Sequence, residues 1–129
     1  MSVKDLRNNE MMSHLLDALE QGKDIGHYGR LVFTMVGRHF LSDSELQKLL
    51  LKDPSMDEIK VAALIEQVGS RDYNPPRPQK IREWQSQQEF PICPTDDPDG
   101  CNVYRNLKFP DGIYDNIQEY HEQKAAAQS

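Results

Sequence analysis

The apolar positions of this chain recur at helical spacing in six stretches, and between the later ones proline takes over. Residues 3–21 place Leu6, Met11, Met12, Leu15, Leu16 and Leu19 on one helical face, with Gly22 following as a stop. Asp24 suits the N-cap of a second helix over 25–40, in which Tyr28, Leu31, Val32, Met35, Val36 and Phe40 keep the i, i+3, i+4, i+7 pattern. Gly26, Gly29 and Gly37 each cost about 1 kcal/mol relative to alanine inside a helix, so they point to close approach by a neighbouring element.

Two capping boxes come next, Ser42 with Glu45 and Ser55 with Glu58, each marking a helix start. The third helix, 43–52, buries Leu46, Leu49 and Leu50 and stops at Asp53-Pro54, because the residue before proline is pushed away from helical angles. The fourth, 56–68, is expected to turn Ile59, Ala62, Ala63, Ile65 and Val68 inward, with Gly69 as its C-terminal cap.

From Arg71 the pattern changes. The string Arg71-Asp72-Tyr73-Asn74-Pro75-Pro76-Arg77-Pro78 must run extended or as polyproline II, and Pro78 then suits the first turn of a fifth helix, 78–88, anchored by Ile81 and Trp84. Residues 90–110 have little periodicity and read as an irregular segment, with room for a short strand pair, held down by Phe90, Ile92, Val103, Tyr104, Leu107 and Phe109. A last helix over 111–124 carries Ile113, Tyr114, Ile117, Tyr120 and His121.

The fold class is therefore all-α. A compact four-helix part covers 1–70. Over 71–129 a Pro-rich connector, a short helix, an irregular Cys-containing segment and a C-terminal helix pack on that bundle or on a partner, and the whole is expected to form one domain. Composition agrees: 129 residues with 37% hydrophobic and 28% charged content can bury a core without disulfides or metal. The formal charge of −6 disfavours non-specific contact with nucleic acid or anionic lipid, and divides evenly between the two parts. No apolar run nears the roughly 18 residues of a membrane span, so no membrane insertion is expected. Two cysteines and a polar start lead to the expectation of a cytoplasmic protein with reduced thiols.

Four constellations could carry chemistry. Cys93 and Cys101 flank an acidic turn and could hold a soft metal or pair as a redox disulfide, but seven residues separate them, whereas zinc sites commonly show closely spaced pairs and need four ligands. Read as a calcium loop, the same turn would put Thr95 first and Asn106 twelfth, where a bidentate glutamate belongs, so an Asp-Gly turn is the better reading. The basic residues Arg71, Arg77, Lys80 and Arg82, interleaved with Tyr73 and Trp84, are of the type that contacts phosphates and bases. Helices three and four could form a helix-turn-helix, yet the fourth bears Asp57, Glu58 and Glu66, which phosphates repel. His27, Tyr28 and Arg30 stand near a helix start and could meet an anion, although the glycines there form no phosphate-binding motif. No serine, cysteine or metal-hydrolase signature occurs, so enzyme activity is the minority expectation and no cofactor is expected.

The fourth constellation leads. Much aromatic and proline mass lies outside regular structure, where prolines reduce the entropy lost on docking and aromatics act as hot spots. The chain is accordingly read as a non-enzymatic helical adaptor, regulator or accessory subunit of a larger protein complex. Its partner-binding residues are expected to be Tyr73, Arg77, Ile81, Trp84, Phe90, Tyr104 and Phe109. The alternatives are a nucleic-acid-associated protein using Arg71, Arg77, Lys80 and Arg82, and a metal or redox protein centred on Cys93 and Cys101.

Overall fold

Asn9 interrupts the first helix that the apolar spacing predicts. A computed structural model describes residues 3–115, and in it a single turn, α1 (Val3–Leu6), is followed by α2 (Glu10–Glu20). The Asn9 side chain accepts a hydrogen bond from the Met12 amide at 3.0 Å and caps α2. Its amide nitrogen donates to the carbonyls of Asn102 and Arg105, at 2.9 and 2.8 Å, so one buried residue ends α1, starts α2 and holds the late irregular segment.

Helix α3 (Gly26–Gly37) is central, packing against α2, α4 (Asp43–Leu50), α5 (Glu58–Arg71) and α6 (Pro78–Gln85). Asp24 accepts from the Gly26 amide at 2.8 Å, but Ile25 and not Asp24 is the N-cap of α3, which begins one residue later than expected and ends at Gly37 instead of Phe40. Two glycines explain themselves by close approach. Gly26 has φ +80°, and a side chain there would strike Gln88. A β-carbon on Gly37 would lie 3.0 Å from Leu46 of α4.

Asp53 ends the α4 connection in the interior. Its fully buried carboxylate accepts from the Ser55 hydroxyl and amide, the Ile25 amide and Arg30, at 2.7 to 3.1 Å. Burial alone would raise this carboxyl, but the four donors together hold it below the ordinary aspartate range. Ser55 is therefore engaged with Asp53, and the capping box predicted for Ser55 and Glu58 does not form; Asp57 caps α5 instead. The box of Ser42 and Glu45 forms as predicted.

Helix α5 turns Ile65 and Val68 inward as expected, but not Ile59, Ala62 and Ala63. Val61 and Val68 are buried and Leu64 and Ile65 partly so, which is itself an i, i+3, i+4, i+7 series. Ile59 is 83% exposed and Ala62 and Ala63 face solvent. The helix passes Gly69 and ends at Asp72, whose φ of 49° makes the left-handed turn and whose carboxylate meets Arg38 at 2.7 Å.

Beyond α6 the chain forms no strand among the described residues. A 3-10 turn (Pro98–Cys101) and α7 (Asp111–Asp115) are its regular pieces, and the remainder of the predicted last helix lies outside the described residues. One continuous hydrophobic cluster draws Leu16, Phe33, Val36 and Leu50 from the early helices and Ile81, Ile92, Val103 and Tyr104 from the later chain. Cys93 is bonded to Cys101, which corrects the expectation of reduced thiols. The reversal through Asp97 and Gly100 brings their α-carbons to 5.0 Å, a geometry the sequence spacing alone did not disclose.

Candidate partner-binding groove

Helix α6 has two working faces, and the site is built from one of them. Ile81 is fully buried and fixes the helix on the core. Arg82 and Gln85 point to the cysteine loop: Arg82 donates to the Asp96 carbonyl at 3.1 Å, and the Cys93 amide donates to the Gln85 side chain at 2.9 Å. Lys80 and Trp84, four residues apart and so one above the other, line a groove of about 480 Å3 on another side.

Across from them lie Leu31 and Met35 of α3, and the wall between is the extended connector Tyr73-Asn74-Pro75-Pro76-Arg77. Pro75 and Pro76 cannot donate backbone hydrogen bonds, and the connector is pinned from below. The buried Tyr104 hydroxyl donates to the Pro75 carbonyl at 2.6 Å. Burial pushes the Tyr104 phenol far above its usual range, against the opposing pull of the Arg77 charge, so this hydroxyl stays protonated and structural. Trp84 stacks on Tyr28 with ring centroids 5.5 Å apart and planes at 14°, and the Lys80 ammonium lies 5.8 Å from the centre of the same indole.

The residues expected to bind a partner are thus divided. Tyr73, Arg77, Trp84 and, beneath them, Tyr104 gather around this groove. Ile81 and Phe109 belong to the core, and Phe109 packs edge-on against Phe40, His39 and Tyr104 at 5.3 to 5.5 Å. Phe90 lies apart, stacked on His14, whose Nε2 is 2.8 Å from the Pro91 carbonyl. The contributors not expected are Leu31 and Met35, which belong to the apolar stripe of the second helix; they recur four apart on α3, and Met35 is buried while it lines the groove.

Of the four basic residues, Arg77 and Lys80 line the groove and Arg71 reaches the hydroxyl of the groove's Tyr73 at 3.4 Å, whereas Arg82, about 200° from Lys80 around α6, is turned to the cysteine loop. At the start of α3, Arg30 is committed to Asp24, Asp53 and Ser55, so it braces the turn and presents no charge to an anion. The described residues hold no group of three histidine, cysteine, aspartate or glutamate side chains at metal-binding separation, and no helix long and apolar enough to cross a membrane.

Compared with known proteins, the chain matches no family model, no curated protein and no solved structure.

Proposed function

We propose that this protein is a non-enzymatic helical adaptor or accessory subunit that docks a protein partner in the groove between α3, the 73–77 connector and α6. The observation that carries the reading is a partly exposed tryptophan and tyrosine flanking an apolar, proline-walled groove on a chain whose other large aromatic side chains are mostly spent on the core. The lining supports a binding role over a catalytic one, since it contains no carboxylate, histidine, cysteine or hydroxyl of serine or threonine to serve as nucleophile or general base. Its amine, Lys80, is paired with Glu83 at 3.5 Å, and its buried phenol, Tyr104, is held by Pro75.

A photo-crosslinking residue at position 73 tests the reading, with the same residue at the exposed position 59 as control. A discrete partner is expected from position 73 alone. Once purified, that partner should bind the wild-type chain at least tenfold more tightly than Trp84→Ala. Equal binding by both chains, or the same products from both positions, would overturn the proposal. A cytoplasmic setting is part of this reading, and counting free thiols at Cys93 and Cys101 in rapidly quenched cells checks it: a fully oxidised pair argues for a more oxidising compartment.

A further inference from the structure

We propose that α5 is a self-association surface, on which a second copy of this chain docks antiparallel so that Ile59 of each copy enters a recess beside Gly69 of the other. The groove between α3 and α6 plays no part in it.

The knob and the recess belong to one helix. Ile59, in the first turn of α5, is 83% exposed, the most open large apolar side chain among the described residues. Farther along, Ala62, Ile65 and Gly69 of α5 and Gln47 of α4 line a recess of about 520 Å3. Gly69 has open space where a β-carbon would stand, which leaves room for a branched side chain from outside. Ile59 cannot reach this recess itself, because residues ten apart on a helix stay about 15 Å apart along its axis. A two-fold axis across the middle of α5, near Leu64, exchanges the two positions. Ile59 of one copy then comes to Gly69 of the other, and the reverse contact follows by symmetry. One operation fills both recesses and covers both isoleucines, as an isologous interface requires.

Charge sets the direction. Glu58, Lys60, Glu66 and Arg71 are all exposed on α5, and none of them makes an ion pair among the described residues. Lys60 and Arg71 each make one long neutral contact, to the Ser55 carbonyl and the Tyr73 hydroxyl, both at 3.4 Å. With the helix ends opposed, Glu58 meets Arg71 of the other copy and Lys60 meets Glu66, and symmetry repeats both pairs. A parallel arrangement would instead set Glu58 against Glu58 and align the two helix dipoles.

Size sets the strength. Helix α5 has 14 residues, about 21 Å of length, and the contact is one helix wide. That falls short of the roughly 800 Å2 per partner of a stable interface, and the formal charge of −6 on each copy opposes approach. The pair is therefore weak and reversible.

Sedimentation velocity of the intact chain from about 10 μM to about 1 mM tests it. The wild-type chain should move from monomer towards dimer across that range. Ile59→Asp, at an exposed position, should raise the dissociation constant at least tenfold. Gly69→Leu enters open space in its own chain, so it should leave the helical circular dichroism unchanged while filling the recess and weakening the pair to a similar degree. Glu58→Arg and Arg71→Glu should each weaken pairing, and the two together should restore it. A photo-crosslinker at position 59 should join two copies through residues 62–70. That product is the chain itself, so position 59 remains the control for a foreign partner captured from position 73. A chain still monomeric at about 1 mM, a dimer indifferent to Ile59→Asp, or a crosslink that maps away from the recess would each overturn the inference.

Discussion

Tyr104 and Phe109 lie 5.4 Å apart, with Phe40 and His39 packed on Phe109 and Tyr114 at 6.4 Å from Tyr104, and this ring cluster is almost wholly inside the molecule. Trp84, contributed by the same later half of the sequence, stacks on Tyr28 at 5.5 Å and stays partly exposed. Both sets look alike as sequence, aromatic residues among prolines and polar chain. The difference is what each is tied to. The inner cluster is closed by hydrogen bonds to backbone, Tyr104 to Pro75 and Tyr114 from the Phe109 amide, whereas the indole N–H of Trp84 has no protein acceptor among the described residues. Rings that bond inward hold the fold, and rings with an idle donor at the surface are available to something else.

The comparison breaks most visibly at Phe109. Truncation to alanine is expected to cost about 3–5 kcal/mol of unfolding free energy, since it removes a core ring and leaves a cavity between Phe40 and Tyr104. Urea denaturation measures it. A loss below about 1 kcal/mol would mean that the inner cluster is not structural and that the distinction from Trp84 is empty.

The seam between the early helices and the later chain comes next. Asn9→Ala removes the α2 cap and leaves the Asn102 and Arg105 carbonyls without their donor, for an expected loss of about 2–3 kcal/mol. Reduction of the Cys93–Cys101 bond, whose ends are 8 residues apart in sequence, opens a small ring against α6 and should cost about 2–3 kcal/mol by loop entropy. Denaturation with and without a dithiol reductant reads this. No change on reduction would show that Gln85, Arg82 and Asn9 hold the loop unaided.

His39 offers a finer probe, because it lies on the rim of the inner cluster. Burial first, and then the neighbouring Arg38 charge, push its pKa down from about 6.5 to about 4, with Asp72 pulling the other way, and its Nε2 has no hydrogen-bond partner among the described residues. Above pH 6.5 the ring is neutral folded or unfolded and contributes no pH dependence. As pH falls from 6.5 towards 4, the unfolded chain takes up a proton that the folded chain refuses, so stability declines across that window and levels below it. With partial exposure allowed for, the decline is expected to be about 1–2 kcal/mol. His39→Leu should flatten the profile there, and an unchanged slope would assign the pH dependence to other groups.

Much of this arrangement was legible in the sequence. The apolar spacing within 3–21 and 25–40, the box at Ser42 and Glu45, and Pro78 at the first turn of α6 rest on local physics, although Asn9 splits the first stretch and α3 ends at Gly37. Where local signals compete, the outcome depended on contacts remote in sequence. Ser55 could cap a helix or bind Asp53, and Arg30 and Ile25 decided it by gathering around the same carboxylate. Residues 59–68 contain two overlapping apolar series, and only packing on α3 and α4 selects Val61 and Val68 over Ile59. The groove was half visible: Tyr73, Arg77 and Trp84 are adjacent along the chain, but the α3 side of the site and the inward turn of Phe109 required the third dimension.

The smallest effect on stability is expected where the largest effect on binding is. Trp84→Ala removes a partly exposed ring and its stack on Tyr28, while Ile81 still anchors α6 and Gln88 still bridges the Tyr28 amide and the Ile25 carbonyl at 2.9 Å each. The loss in unfolding free energy should therefore be about 1 kcal/mol or less, several-fold below that of Phe109→Ala, measured in the same denaturant series. Tyr28→Leu, which keeps apolar cover but not the flat face, should cost a similar small amount. Were Trp84→Ala to unfold the chain as readily as Phe109→Ala, the indole would belong to the core after all, and the groove would have no wall that folding could spare for a partner.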